Sequence, residues 1–174
     1  MLQTFYFHPA TINDVAILSE LVNSAYRGER SKKGWTTEAD LLDGIRTDEA
    51  ALQKMIETPG TVILKCMNES EQLLGCVYLQ KKKSSLYLGM LTVAPELQAM
   101  GIGKKLLAAA EDQASVMQCD SITITVIAVR HELIAWYERH GYRATGETQP
   151  FPQDPSFGLP KQALHFIVME KKLP

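Results

Sequence analysis

The sequence is short of almost everything that marks a metalloprotein, a disulfide scaffold or a membrane protein. Its 174 residues include three cysteines, four histidines and two tryptophans. Cys66, Cys76 and Cys119 are odd in number, far apart and form no Cys-x-x-Cys. That excludes a disulfide framework and a thiolate zinc site, and it suits a reducing compartment. His8, His140 and His165 fall in strands or at a helix end without ligand spacing, so no metal is expected. No apolar run approaches membrane-spanning length, and residues 1–8 lack the basic region and apolar stretch of a signal peptide. Excess positive charge is missing as well. Eighteen Lys and Arg stand against twenty Asp and Glu, a net −2, which leaves no electrostatic footprint for nucleic acid. The run Lys81-Lys82-Lys83 lies between two apolar segments and reads as a solvated hairpin turn. There are no repeats, low-complexity tracts or interdomain linkers. The expectation is one cytoplasmic domain, residues 1–174, monomer or homodimer, with neither nucleic acid nor membrane as partner.

What is present is periodic. Residues 4–10 alternate and are aromatic-rich, as in a strand. Thr11 or Asn13 can cap a helix through Ile17, Leu18, Leu21, Val22 and Ala25. A polar loop, 27–34, precedes a second expected helix, opened by Thr37 and Asp40 and presenting Leu41, Leu42 and Ile45. A third helix over 50–57 stops at Pro59-Gly60. Strands are expected at 61–67, 73–82 and 85–93, an antiparallel meander. A helix over 103–117 follows, with Leu106, Leu107, Ala110 and Ala114 on one face. Then come a β-branched strand, 122–127, a helix over 132–139 ended by Gly141, a strand at 142–147, a proline-rich loop at 150–160 and a last strand at 163–171. The fold class is α/β, with a central mixed six- to seven-stranded sheet flanked by helices on both faces.

The densest chemical signal is the segment from Leu91 to Leu107. A strand reading Leu91-Thr92-Val93 ends at Ala94-Pro95. A turn with Gly101 and Gly103 then opens directly into a helix. Amides and the positive end of a helix dipole converge there, and glycine lets an anion approach the main chain. The segment is neither a dinucleotide fingerprint, since a third glycine is missing, nor a triphosphate loop, since Lys104 is followed by Lys105.

The pattern Gln98-Ala99-Met100-Gly101-Ile102-Gly103 after Thr-Val-Ala-Pro resembles the Gln/Arg-x-x-Gly-x-Gly/Ala pyrophosphate loop of the GNAT superfamily of N-acetyltransferases. Two further segments are similar to that family. One is Tyr137-Glu138-Arg139-His140-Gly141-Tyr142. The other is Gly34-Trp35-Thr36-Thr37-Glu38, which resembles the second-helix opening of one bacterial-type branch. With the element order, the resemblance spans essentially the whole chain and implies a GNAT-like acyl-CoA N-acyltransferase fold.

The resemblance also implies a donor, acetyl-CoA, and an acceptor, a primary amine on a small molecule or peptide. It places the diphosphate on the main chain of Gln98, Ala99, Met100, Gly101, Ile102, Gly103, Lys104 and Lys105. The pantetheine arm then lies along a bulged strand at Leu91, Thr92 and Val93. Tyr137 matches the family's general acid, which protonates the departing thiolate. Glu38 is the first candidate for general base, with Glu29, Asp40, Glu96 or a water relay as alternatives. Tyr26 and Trp35 are candidates for the acceptor pocket. Arg130 stands where many members carry an asparagine that holds the pantetheine arm. A CoA phosphate, a substrate carboxylate and solvent are all open to it. A non-catalytic acyl-CoA-binding module and transfer of a longer acyl group, such as succinyl, are the alternative functions.

Overall fold

Among the described residues, nine strands and five α-helices occur in chain order: β1 (Tyr6–Pro9), α1 (Val15–Tyr26), α2 (Gly28–Ser31), β2 (Leu42–Asp43), α3 (Glu49–Glu57), β3 (Thr61–Met67), β4 (Leu73–Lys82), β5 (Ser85–Val93), α4 (Ile102–Val116), β6 (Ser121–Ile127), α5 (His131–Arg139), β7 (Arg143–Pro150), β8 (Leu159–Pro160) and β9 (His165–Lys172). This is a computed structural model, and it describes residues 3–174. Seven strands form one sheet in the order β1-β3-β4-β5-β6-β9-β7, and β2 pairs with β8 in a separate ribbon. Every pairing is antiparallel except β5 with β6. The expected mixed sheet therefore has seven strands.

Helices cover both faces of the sheet because strand residues alternate in direction. On one face Leu64, Leu79, Leu86, Leu88 and Ile122 pack against Ile102, Leu106, Ala110 and Ala114 of α4 and against Tyr137 of α5. On the other, Ile63 and Cys76 meet Leu18, Val22 and Ala25 of α1 and Leu52 of α3.

Two irregularities in β5 create the site. First, the register against β4 slips by one residue between Thr92 and Gly89, so β5 carries one extra residue. Met90, with φ +53°, takes up the bulge. The insertion reverses the alternation: Leu86 and Leu88 face α4, whereas Met90 faces α1 and α3. Second, β5 pairs with β6 only through Ser85–Tyr87 and Ser121–Thr123. Beyond that point the strands splay, and the end of β5 has an open edge.

One expected element is absent. Residues 37–45 are not a helix but a turn followed by β2. The Glu38 amide donates to the Tyr26 carbonyl at 2.7 Å, and the amides of Leu41 and Leu42 donate to Glu38 O at 2.9 Å. Gly44, at φ +86°, then turns the chain out of any helix. The long-range bond to Tyr26 and the turn at Gly44 outweigh the local helix signal of Thr37 and Asp40. The polar segment after α1, in contrast, holds the short helix α2. Residues 159–160, expected in the loop, form β8. The Lys161 amide donates to Leu41 O at 2.8 Å, tying the loop to the turn after Glu38.

Candidate active site

The loop between β5 and α4 is built to leave amides unpaired. Ala99 and Gly101 both have positive φ, +71° and +83°, and α4 starts at Ile102. The amides of its first turn have no carbonyl one turn earlier to bond, and the helix dipole adds positive potential there. A Cβ built on Gly101 would meet nothing within 4 Å, so there is open room above the main chain. On Gly103 a Cβ would approach the Trp136 ring to 3.2 Å, so this glycine seats the indole. A cavity of about 510 Å³ lies over the loop, among Leu91, Val93, Gly101, Gly103, Trp136 and Tyr137. Lys104 and Arg139 stand at its wall as the available cations, with Glu132 beside them. Lys105 points away, its ammonium 5.6 Å from the Phe5 ring centre.

Gln98 belongs to this loop, but its side chain works elsewhere. Its Oε1 accepts from the Trp35 amide at 2.8 Å, and its Nε2 donates to Thr36 Oγ1 at 2.7 Å and to Val93 O at 3.1 Å. It clamps the segment after α2 to the end of β5. Trp35 is thereby held 6.1 Å from Trp136, centre to centre, on the wall of the loop cavity. Trp35, expected in an acceptor pocket, lines the loop cavity and not the second one described below.

A second cavity, about 750 Å³, opens on the far side of the splay, between β5, β6 and the segment around Glu38. Tyr26, Leu91, Leu133 and Tyr137 line both cavities. Tyr137 is buried, and burial pushes its phenol well above the usual value, so it keeps its proton. The Tyr26 hydroxyl, also pushed up by burial to about 12, donates to the Leu91 carbonyl just beyond the bulge.

Charge in the second cavity is mostly positive. Arg27 donates through Nε and Nη2 to Glu38 Oε1, at 3.1 and 3.0 Å, through Nη1 to Ile45 O, and through Nη2 to Phe157 O. Arg130 Nη1 lies 3.6 Å from Glu38 Oε2. Arg46 stacks over Tyr26, 5.8 Å from the ring centre. Glu38 thus has both oxygens turned to arginines, as the counter-charge of Arg27 and Arg130. Arg130 lines the second cavity, not the loop cavity, and its side chain is only 8% exposed. Of its three open destinations, bulk solvent is thereby removed.

The alternative carboxylates stand apart from the junction. Glu29 pairs with Lys32 at 2.9 Å. Arg30 holds Glu96 at 2.9 Å and lowers its carboxyl to about 2. Asp40 is exposed and lines neither cavity. No group of three or more His, Cys, Asp or Glu among the described residues is arranged to hold a metal ion. Sequence reasoning missed Arg27, Arg46 and Arg139. Arg27 and Arg139 lie in the polar loop 27–34 and the run Tyr137–Tyr142, but only tertiary folding brings their side chains, and that of Arg46, to the cavities.

Residues 38–152 match the family model described as an acetyltransferase (GNAT) domain. Among curated proteins, none matches the sequence significantly. The fold is shared with several solved structures. One is the ribosomal-protein-S18-alanine N-acetyltransferase of Escherichia coli, at TM-score 0.72 and 13% identity over 98% of this chain and 94% of that one. Another is a spermidine N-acetyltransferase chimera from Vibrio cholerae, at 0.69 and 16% over 97% and 95%. A nourseothricin acetyltransferase matches at 0.70 and 16%, over 98% and 99%.

Proposed function

The chain belongs to the GNAT acetyltransferase family, and on that premise we propose that it transfers an acetyl group from acetyl-CoA to the primary amine of a small molecule or peptide. The observation that carries this reading is the junction itself. Two cavities on opposite sides of a splayed sheet share Tyr26, Leu91, Leu133 and Tyr137. A donor in one and an acceptor in the other meet there, so transfer is direct, with both bound.

The diphosphate of acetyl-CoA rests on the amides that open α4, over Gly101, with Lys104 and Arg139 adding charge. The pantetheine arm follows the open edge of β5 past Val93 to Leu91. The neutral amine attacks the thioester carbonyl; the new C–N bond forms as the C–S bond breaks. The departing thiolate takes the proton of the Tyr137 hydroxyl, and the amine's surplus proton leaves to water in the second cavity, from which Tyr137 is reprotonated. Glu38 holds Arg27 and Arg130 in place. Cys66 and Cys76, pushed up to about 11 and 12 by burial, remain neutral thiols and take no covalent part.

The test is release of free thiol from acetyl-CoA by the purified protein against a panel of primary amines. Release that requires an amine, with the acetyl group recovered on its nitrogen, supports the reading. Tight CoA binding with no amine-dependent release from any member of the panel assigns a binding module instead.

A further inference from the structure

The second cavity has on its wall a guanidinium with hydrogen-bonding capacity to spare. Arg130 is more than nine-tenths buried and lines the cavity wall. Yet its side chain makes no hydrogen bond to any described residue, and Glu38 stands at ion-pair distance only, 3.6 Å. Arg46 lines the same wall and likewise donates to no described residue, its cation lying over the Tyr26 ring. Arg27, in contrast, is saturated by Glu38 and two carbonyls. Arg27, Arg46, Lys82 and Arg130 stand against Glu38 and Glu147 in the cavity lining, four positive charges to two negative, a surplus of two. The Arg130 nitrogens are not among the sealed, unpartnered side-chain atoms, so the guanidinium faces cavity space in which an anion can complete its hydrogen bonds. Both free guanidiniums also act electrostatically on the Tyr26 hydroxyl, which borders the junction. An anion bound by them lies in the acceptor cavity, close to where the amine must be.

Resting on the acetyl-transfer reading, we infer that the acceptor is an amine that also carries a carboxylate, held by the guanidiniums of Arg130 and Arg46. The planar fork of Arg130 matches a carboxylate with two parallel hydrogen bonds. A polycationic acceptor is disfavoured by the same two charges.

The experiment compares glycine, β-alanine, 4-aminobutyrate and L-phenylalanine with their own carboxamides, by calorimetric binding in saturating CoA and by thiol release with acetyl-CoA. The expected result is that at least one acid binds about 10- to 100-fold more tightly than its amide, and is turned over with the same preference. Arg130→Gln lowers the acid's kcat/KM toward that of its amide and so removes the preference. Arg130→Lys, which keeps the charge, retains part of the preference and guards against a folding defect. Acids that bind no better than amides overturn the inference, as does an Arg130→Gln variant that weakens both equally. A preference that follows the donor, with succinyl-CoA favoured over acetyl-CoA and lost in Arg130→Gln, also overturns it. Carboxylate-selective binding without any transfer leaves the anion site standing and refutes the acetyl-transfer reading alone.

Discussion

The Tyr26 hydroxyl donates to the Leu91 carbonyl, one residue beyond the bulge at Met90. The last residue of α1 thereby braces the open end of β5, where pairing with β6 has stopped. Tyr26→Phe removes the donor and leaves that partly buried carbonyl unpaired. It is expected to lower the unfolding free energy by about 1–2 kcal/mol, seen in urea denaturation, and to lower Tm by roughly 3–6 °C. An unchanged unfolding midpoint contradicts the bracing role.

Gly101 has room above it but a conformation that only glycine adopts cheaply. Gly101→Ala is expected to cost about 1 kcal/mol of stability through its positive φ and to weaken CoA only slightly. Gly101→Glu adds bulk and negative charge where a diphosphate is to lie, and CoA affinity is expected to fall about 100-fold or more by calorimetry. Equal affinity in both variants puts the phosphate site elsewhere.

Glu38 and Arg27 form a buried pair whose side chains are 10% and 5% exposed. Glu38→Gln leaves Arg27 without its counter-charge and is expected to destabilise the fold by about 3 kcal/mol, measured in urea. The pH–rate profile of the surviving fold keeps its shape, because Glu38 positions cations and carries no substrate proton. Full stability together with a 100-fold or greater loss of kcat restores it as the base.

Burial raises the Tyr137 phenol because the charged phenolate is the form that loses solvation. A general acid acts while protonated, so a raised value extends its working range to the alkaline side. With saturating acetyl-CoA, kcat/KM for the amine is expected to rise with pH as the amine deprotonates and then to level, with no descending limb below about pH 10. A fall centred near pH 8 or 9 requires a different acid.

The buried neutral thiols predict a single displacement. Incubation with acetyl-CoA alone is expected to leave the protein mass unchanged, and initial rates against both substrates to give intersecting double-reciprocal lines. Parallel lines, or a covalent acetyl adduct, point to a relay through the protein.

The meander was legible to the residue: β3, β4 and β5 occupy the expected 61–67, 73–82 and 85–93. Alternation between clear turns such as Lys83, at φ +57°, leaves little else for those segments to do. The glycine turn into α4 was visible for a similar reason, its determinants being contiguous. The segment after Trp35 was misread because its structure depends on partners far along the chain. Gln98 grips the amide of Trp35, and the Tyr26 carbonyl takes that of Glu38. Arg130 had three possible destinations in the sequence, since only the splay of β5 from β6 decides which cavity α5 presents it to.

Tyr137 lines both cavities, and the transfer account turns on it most directly. The decisive measurement is kcat of Tyr137→Phe beside its Kd for CoA, in the same buffer, with an amine that the unaltered protein acetylates. Loss of the proton donor is expected to lower kcat by about 100-fold while the CoA Kd changes less than about 3-fold. An unchanged kcat contradicts the account, whatever happens to binding.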